Sequence, residues 1–195
     1  LKRKETLVLI SLVLFSVAVR IPIIVIFGDT NLENEWLQLV NNLINHKGLS
    51  MSTVEGLLLP NLWMPPLYAY YIYLFSFFNL ENQNFVLLIL SSQIILASIS
   101  VGIFYSINKY FFSKKISIFS SLLFSLFPLN LYACSQISSV TLCIFLALLF
   151  YYYFFKITKN NNILTFFIFA VVAGLLILTR REFAGILALS LAYLY

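Results

Sequence analysis

Long apolar runs separated by short polar stretches make up most of this chain. Residues 7–27, 85–108, 116–132, 137–155 and 163–178 read as helices crossing a membrane, which takes about 20 predominantly apolar residues per span. Between positions 28 and 84 the pattern changes. Leu32, Trp36, Leu39, Val40, Leu43 and Ile44 recur at helical spacing, while Glu33, Gln38, Asn41 and Asn42 fall elsewhere on the wheel. With Asn31 available as a cap and Gly48 just past the end, this stretch predicts a short helix lying along the membrane surface. A second apolar piece, 65–78, begins with Pro65-Pro66, suited to a helix start, and carries Tyr68, Tyr70, Tyr71 and Tyr73. At about 14 residues it is short for a span.

The positive charges fix how these pieces connect. Lys2, Arg3 and Lys4 precede the first run; Lys109, Lys114 and Lys115 follow the 85–108 run; Lys156 and Lys159 follow the 137–155 run. Basic residues collect on the cytoplasmic ends of membrane helices, so the N-terminus is expected in the cytoplasm and Asp29 outside. Two runs between two basic patches return both patches to one side. The 85–108 run then starts outside, directly after an outer loop, and 65–78 lies in the interface or re-enters; the opposite topology has 65–78 crossing and the later lysines outside. In the first arrangement the outer face collects Asp29, Glu33, Glu35, His46, Lys47, Glu55, Arg180, Arg181 and Glu182. Arg180 and Arg181 break the basic bias, as an anionic ligand at the surface would require.

Composition agrees with lipid as the main solvent. The chain is 62% hydrophobic and 10% charged, with a mean hydropathy of +0.97, too much apolar surface for a soluble core of 195 residues. The net charge of +5 is split into short groups between apolar runs, which argues against a nucleic-acid face. Cys134 and Cys143 form neither a disulfide framework nor a thiolate metal site and read as membrane-core or interface residues. The first run is too long for a signal-peptide core and leads into Gly28-Asp29-Thr30 without a small-residue cleavage site, so a retained anchor is expected. The chain opens on Leu1, and its last apolar run, 183–195, is short for a span; we expect the N-terminal part of a longer protein. Richness in Ile, Asn, Lys, Phe and Tyr points to a bacterial genome of low GC content, hence a bacterial inner (cell) membrane.

The order of motifs carries a family resemblance. Arg20, then Asp29, an amphipathic helix containing Glu35-Trp36, Gly48, and Trp63-Met64-Pro65-Pro66-Leu67-Tyr68 resemble the N-terminal module of GT-C glycosyltransferases. The branch resembled includes protein O-mannosyltransferases and lipid A aminoarabinose transferases. Phe127-Pro128, Leu131-Tyr132-Ala133, and Gly174-Leu175 leading to Leu178-Thr179-Arg180 extend the likeness over nearly the whole chain. It implies an all-α polytopic transmembrane bundle: one membrane-embedded module over 1–195, with a transmembrane helix at 1–27, an external loop with interfacial helices at 28–84, and further transmembrane helices at 85–195.

The resemblance also implies inverting transfer of a sugar from a polyprenyl-phosphate carrier to a protein, lipid or glycan acceptor on the external face. The position of the catalytic carboxylate matches Asp29, which would accept the proton of the attacking hydroxyl. Arg180 matches a basic residue that would stabilise charge on the leaving phosphate, with Arg181 and Arg20 as helpers. Glu35 and Tyr68 complete the expected substrate-binding set, and Trp63 and Tyr70 are candidates to line a groove.

Plainer readings stand beside these. Asp29 and Glu33 suit a helix start, Arg20 can snorkel to headgroups, and His46 reads as a solvated loop residue. Relatives often carry a second acidic residue in the external turn, where this chain has Val140. That departure favours a metal-independent mechanism, or an inactive relative, over a two-carboxylate metal site; the sequence names no metal, and a divalent ion stays open as a cofactor. The alternative class is a non-catalytic membrane protein, a transporter or lipid-handling subunit. A transporter would show charged mid-membrane positions and an inverted repeat. The later runs carry no charge at their centres and no repeat is visible, and the acids gather in one loop, which favours chemistry at the surface.

Overall fold

A computed structural model describes residues 2–32, 34–52, 56–61, 63–159 and 162–194. Glu33 and Glu55 lie outside the described residues.

The chain is an all-α bundle, as the apolar runs require. Helix α1 (Lys2–Phe27) packs against α4 (Asn82–Asn108), and α4 packs against α7 (Val140–Lys159), which in turn packs against α8 (Ile163–Thr179). Helices α1, α4 and α7 are each long and apolar enough to cross a membrane, and the protein is an integral membrane protein. At 27 residues, α4 is about 40 Å long. That exceeds the about 30 Å of hydrocarbon in a bilayer, so α4 is long enough to cross it even when tilted. Helix α8, 17 residues long and strongly apolar, sits at the short limit of a span, and α9 (Phe183–Leu194) packs on α8.

The run expected as one span at 116–132 is broken. Helix α5 (Lys114–Leu126) and helix α6 (Pro128–Ser135) meet at a 49° bend. Pro128 has no amide hydrogen and pushes Phe127 into extended backbone, with φ −62° and ψ 119°. The helix therefore restarts in a new direction.

Both helices predicted between positions 28 and 84 form, as α2 (Asn34–Ile44) and α3 (Pro66–Ser76). Helix α2 starts later than an Asn31 cap would place it, and His46 and Gly48 turn the chain after its end with positive φ, 58° and 69°. A small antiparallel hairpin of β1 (Ser50–Ser52) and β2 (Leu58–Pro60) joins the two helices, with Met51 opposite Leu59. Asn42 holds it to α2 by donating to the Ser50 carbonyl at 2.8 Å. Helix α3 lies back along the start of α4 and touches α8. Its 11 residues span only about 17 Å, too little to cross the bilayer.

The two ends of the bundle differ in character. At one end Lys109 pairs with Glu5 at 2.7 Å, and Lys159 sits over the Tyr110 ring, 4.0 Å from its centroid. The start of α1, the end of α4 and the end of α7 therefore meet. At the other end the loop after α1 meets the turn before α7, and the candidate site lies there.

Candidate functional site

The site begins with the way α1 stops. Gly28 closes the last turn by donating to the Ile24 carbonyl at 2.8 Å, and a Cβ at this position would run into that carbonyl. The chain then leaves α1 with Asp29 held through both its backbone and its side chain. The Asp29 amide donates to the Ser135 carbonyl at 3.0 Å, and Asp29 Oδ2 accepts from the Ile137 amide at 2.6 Å. Gln136, between those two partners, donates to the Phe27 carbonyl at 2.8 Å and so caps a free carbonyl at the end of α1. Three contacts thus lock the end of the first helix to the turn between α6 and α7.

A cleft of about 440 Å³ opens at this junction, lined by Asp29, Asn31, Glu35, Trp36, Gln136 and Ile137 among others. Two carboxylates, Asp29 and Glu35, face the same space. Asp29 is half-buried and Glu35 exposed. Asn82 donates to Asn31 at 3.1 Å, which ties the rim to the start of α4.

Tyr68 supports the cleft from behind. Its ring meets Trp36 edge-on, with centroids 4.7 Å apart, and stacks on Tyr71 at 5.5 Å. Its hydroxyl donates to Gln93 Oε1 at 3.3 Å, and Gln93 passes the connection on by donating to the Gln136 carbonyl at 3.0 Å. Burial above all, with Tyr71 and Asp29 nearby, pushes the Tyr68 phenol well above its ordinary value of 10.0. It therefore stays protonated and keeps donating. Tyr71 in turn bonds Ser92 on α4. Neither Gln93 nor Gln136 stands out as a site residue in the sequence. Gln93 has a readable signal, an amide at the centre of a run whose other central polar residues are serines, whereas the Ile137 contact is made by backbone and leaves no trace in residue type.

The remaining candidates are distributed. Arg180 follows the buried Thr179 at the end of α8, and with Glu182 it lies within electrostatic reach of Cys143 in the first turn of α7. It therefore belongs to the Asp29 end of the bundle. Arg181 is exposed next to it. Tyr70 and Trp63 are exposed, and His46 stands in the turn after α2, away from the cleft lining.

Arg20 is the exception to the expected grouping. It does not snorkel to headgroups: it is 1% exposed inside the bundle, donating to the Ser16 carbonyl at 3.2 Å, to the Ser16 hydroxyl and to Ser125 Oγ at 3.4 Å. Lying inside α1, it borders a separate cavity of about 10 Å³ with Ser100, Asn130 and Thr141, and its Nε has no partner among the described residues.

For a metal, the described donor set is thin. No three His, Cys, Asp or Glu side chains gather among the described residues, and Asp29 already spends one oxygen on the Ile137 amide.

The family model described as dolichyl-phosphate-mannose-protein mannosyltransferase matches residues 64–195, which include Tyr68, Gln93, Gln136, Arg180 and Arg181; Asp29 and α2 precede it. No curated protein and no solved structure matches the chain.

Proposed function

This chain belongs to the dolichyl-phosphate-mannose-protein mannosyltransferase family of membrane glycosyltransferases, and we propose that it moves a sugar from a polyprenyl-phosphate carrier to an acceptor hydroxyl at the outer membrane surface, with inversion and with Asp29 as base. The observation that supports this most is the 2.6 Å bond between Asp29 and the Ile137 amide. It fixes one carboxylate oxygen and leaves the other for the cleft that Glu35 and Trp36 also line.

In this reading the acceptor oxygen attacks the anomeric carbon while its proton passes to Asp29. The bond between that carbon and the phosphate oxygen breaks on the opposite face, and the carrier leaves as a lipid phosphate. Arg180, with Arg181 beside it, stabilises the charge developing on that phosphate. Glu35 orients the sugar or acceptor hydroxyls, and Tyr68 holds Trp36 against the cleft.

The distribution of charge supports a sidedness. Lys109 and Lys159 lie at the bundle end opposite Asp29, and Lys114 acts on Glu5 at that same end. Basic residues favour the cytoplasm, which directs the N-terminus inward and the cleft outward, as in a bacterial inner membrane.

The test offers the protein in membranes a panel of labelled polyprenyl-phosphate sugars with envelope acceptors, and runs Asp29→Asn beside the wild type. The expected result is transfer by the wild type and about a hundredfold less by the variant, the scale of a lost proton acceptor. Full transfer by the variant would remove Asp29 as base; carrier bound but never consumed by the wild type would favour the lipid-handling alternative.

A further inference from the structure

At the end of the bundle opposite Asp29, two cavities adjoin. The first, about 570 Å³, is polar and basic, lined by Glu5, Tyr105, Lys109, Tyr110, Tyr152 and Lys159 among others. The second, about 470 Å³, is almost wholly apolar, with Leu9, Val13, Ile99, Gly102, Ile103 and Leu149 in its walls. Leu9, Ser106 and Tyr152 line both, so the two form one continuous groove. It runs over α4 between α1 and α7. Gly102 shapes its floor: a Cβ there would stand 3.3 Å from Val13 Cγ2 and 3.5 Å from Leu9 Cδ2.

The polar part is built for an acceptor-rich guest. Tyr105 is 2% exposed, yet its hydroxyl has no hydrogen-bond partner among the described residues, and the residue lines the cavity. An unpaired buried hydroxyl costs free energy unless something accepts from it. Charge points the same way. Glu5 neutralises Lys109 in part, but Lys159 rests on the Tyr110 ring with no carboxylate within ion-pair distance among the described residues, so the pocket keeps a positive excess.

We propose that this groove binds one anionic phospholipid, its phosphate held by Lys109, Lys159 and the tyrosine hydroxyls and one acyl chain laid along Leu9, Val13, Ile99 and Leu149. A phosphate alone would leave the apolar half empty, and a zwitterionic lipid would bring its own cation against the two lysines. The juxtaposition of a basic, hydroxyl-lined pocket with a contiguous apolar trough fits a headgroup and chain together. The site is separate from the Asp29 cleft and does not depend on the transferase reading.

The test reconstitutes the full protein into nanodiscs of equal phosphatidylglycerol and phosphatidylcholine, releases it into detergent and weighs it intact by native mass spectrometry. The expected result is one retained phosphatidylglycerol, preferred over phosphatidylcholine by about tenfold or more, the order given by two lysines near an anionic headgroup. Lys109→Gln with Lys159→Gln should abolish the preference, whereas Lys109→Arg with Lys159→Arg should keep it, as should Asp29→Asn. Both lysines are exposed, so the fold does not depend on them. Equal retention of the two lipids, a preference that survives the glutamine double variant, or displacement of the lipid by soluble glycerol phosphate would overturn the proposal.

Discussion

The Ile137 amide donates to Asp29 Oδ2 at 2.6 Å across 108 residues of sequence. With the Asp29 amide on Ser135 and Gln136 on Phe27, this bond makes one rigid junction of the end of α1 and the turn before α7. A carboxylate held by backbone keeps its direction, which is what a proton acceptor needs, because misplacement by about 1 Å costs rate steeply.

Anchoring and basicity are separable at Asp29. The amide oxygen of Asp29→Asn can still accept from Ile137, so its melting temperature should stay near that of the wild type while transfer falls by about a hundredfold. Asp29→Ala leaves the Ile137 amide unpaired and should lose about 1–3 kcal/mol of stability as well. Thermal melts in detergent beside transfer assays read both. If the asparagine variant melts as low as the alanine variant, the loss of transfer reports damage to the junction instead of a missing base.

Tyr68 is expected to act through its ring more than its hydroxyl. Tyr68→Phe keeps the packing on Trp36 and Tyr71 and removes one bond to Gln93, a change of about 1 kcal/mol in stability. Tyr68→Ala takes away a fully buried aromatic, costs about 3–5 kcal/mol, and should raise KM for the carrier far more than the phenylalanine variant does. A large KM effect in Tyr68→Phe would instead assign the hydroxyl a direct contact with substrate.

The parts of this fold visible in sequence are those governed by period and composition. The apolar runs and the amphipathic α2 were legible because one residue face decides them. Asp29 was legible as a candidate through the order of motifs and Glu35 through its place beside Trp36, but their shared cleft rests on the Ile137 backbone amide, which any residue other than proline could supply. The 50–60 hairpin was missed because its paired strands are three residues each and alternate weakly. The break at Pro128 was written in the proline, but the apolar run on both sides masked it. Arg20 read as a headgroup or phosphate contact, whereas Ser16 and Ser125 give it hydrogen-bond acceptors inside the bundle.

Arg180 should matter to the carrier and little to the fold. Its guanidinium is exposed, and its bond to Leu176 is made by the backbone amide, so Arg180→Gln should melt like the wild type. As a stabiliser of the leaving phosphate it should lower kcat/KM by about ten- to a hundredfold, with Arg181→Gln weaker, and the loss should narrow at high salt as the wild-type advantage is screened. Steady-state kinetics at two ionic strengths check this. Equal kinetics for Arg180→Gln and wild type would leave the phosphate without this partner.

Arg20 provides a test of what a lone buried cation does in this bundle. Its neighbours are hydroxyls, a carbonyl and the Cys134 thiol, and no carboxylate forms an ion pair with it among the described residues. Removing a buried charge that lacks an opposite partner strands no counter-charge, and the serines can return to carbonyls of their own helices, as Ser121 does to Ser117 at 2.7 Å. Replacement by an apolar side chain of similar length is then neutral or stabilising. Arg20→Met should therefore melt at or above the wild type, whereas Arg20→Ala, which opens a cavity, should lose about 2 kcal/mol or more. If Arg20→Met keeps its fold but loses transfer, Arg20 serves the carrier phosphate from inside the bundle; if it keeps both, the arginine serves neither stability nor transfer.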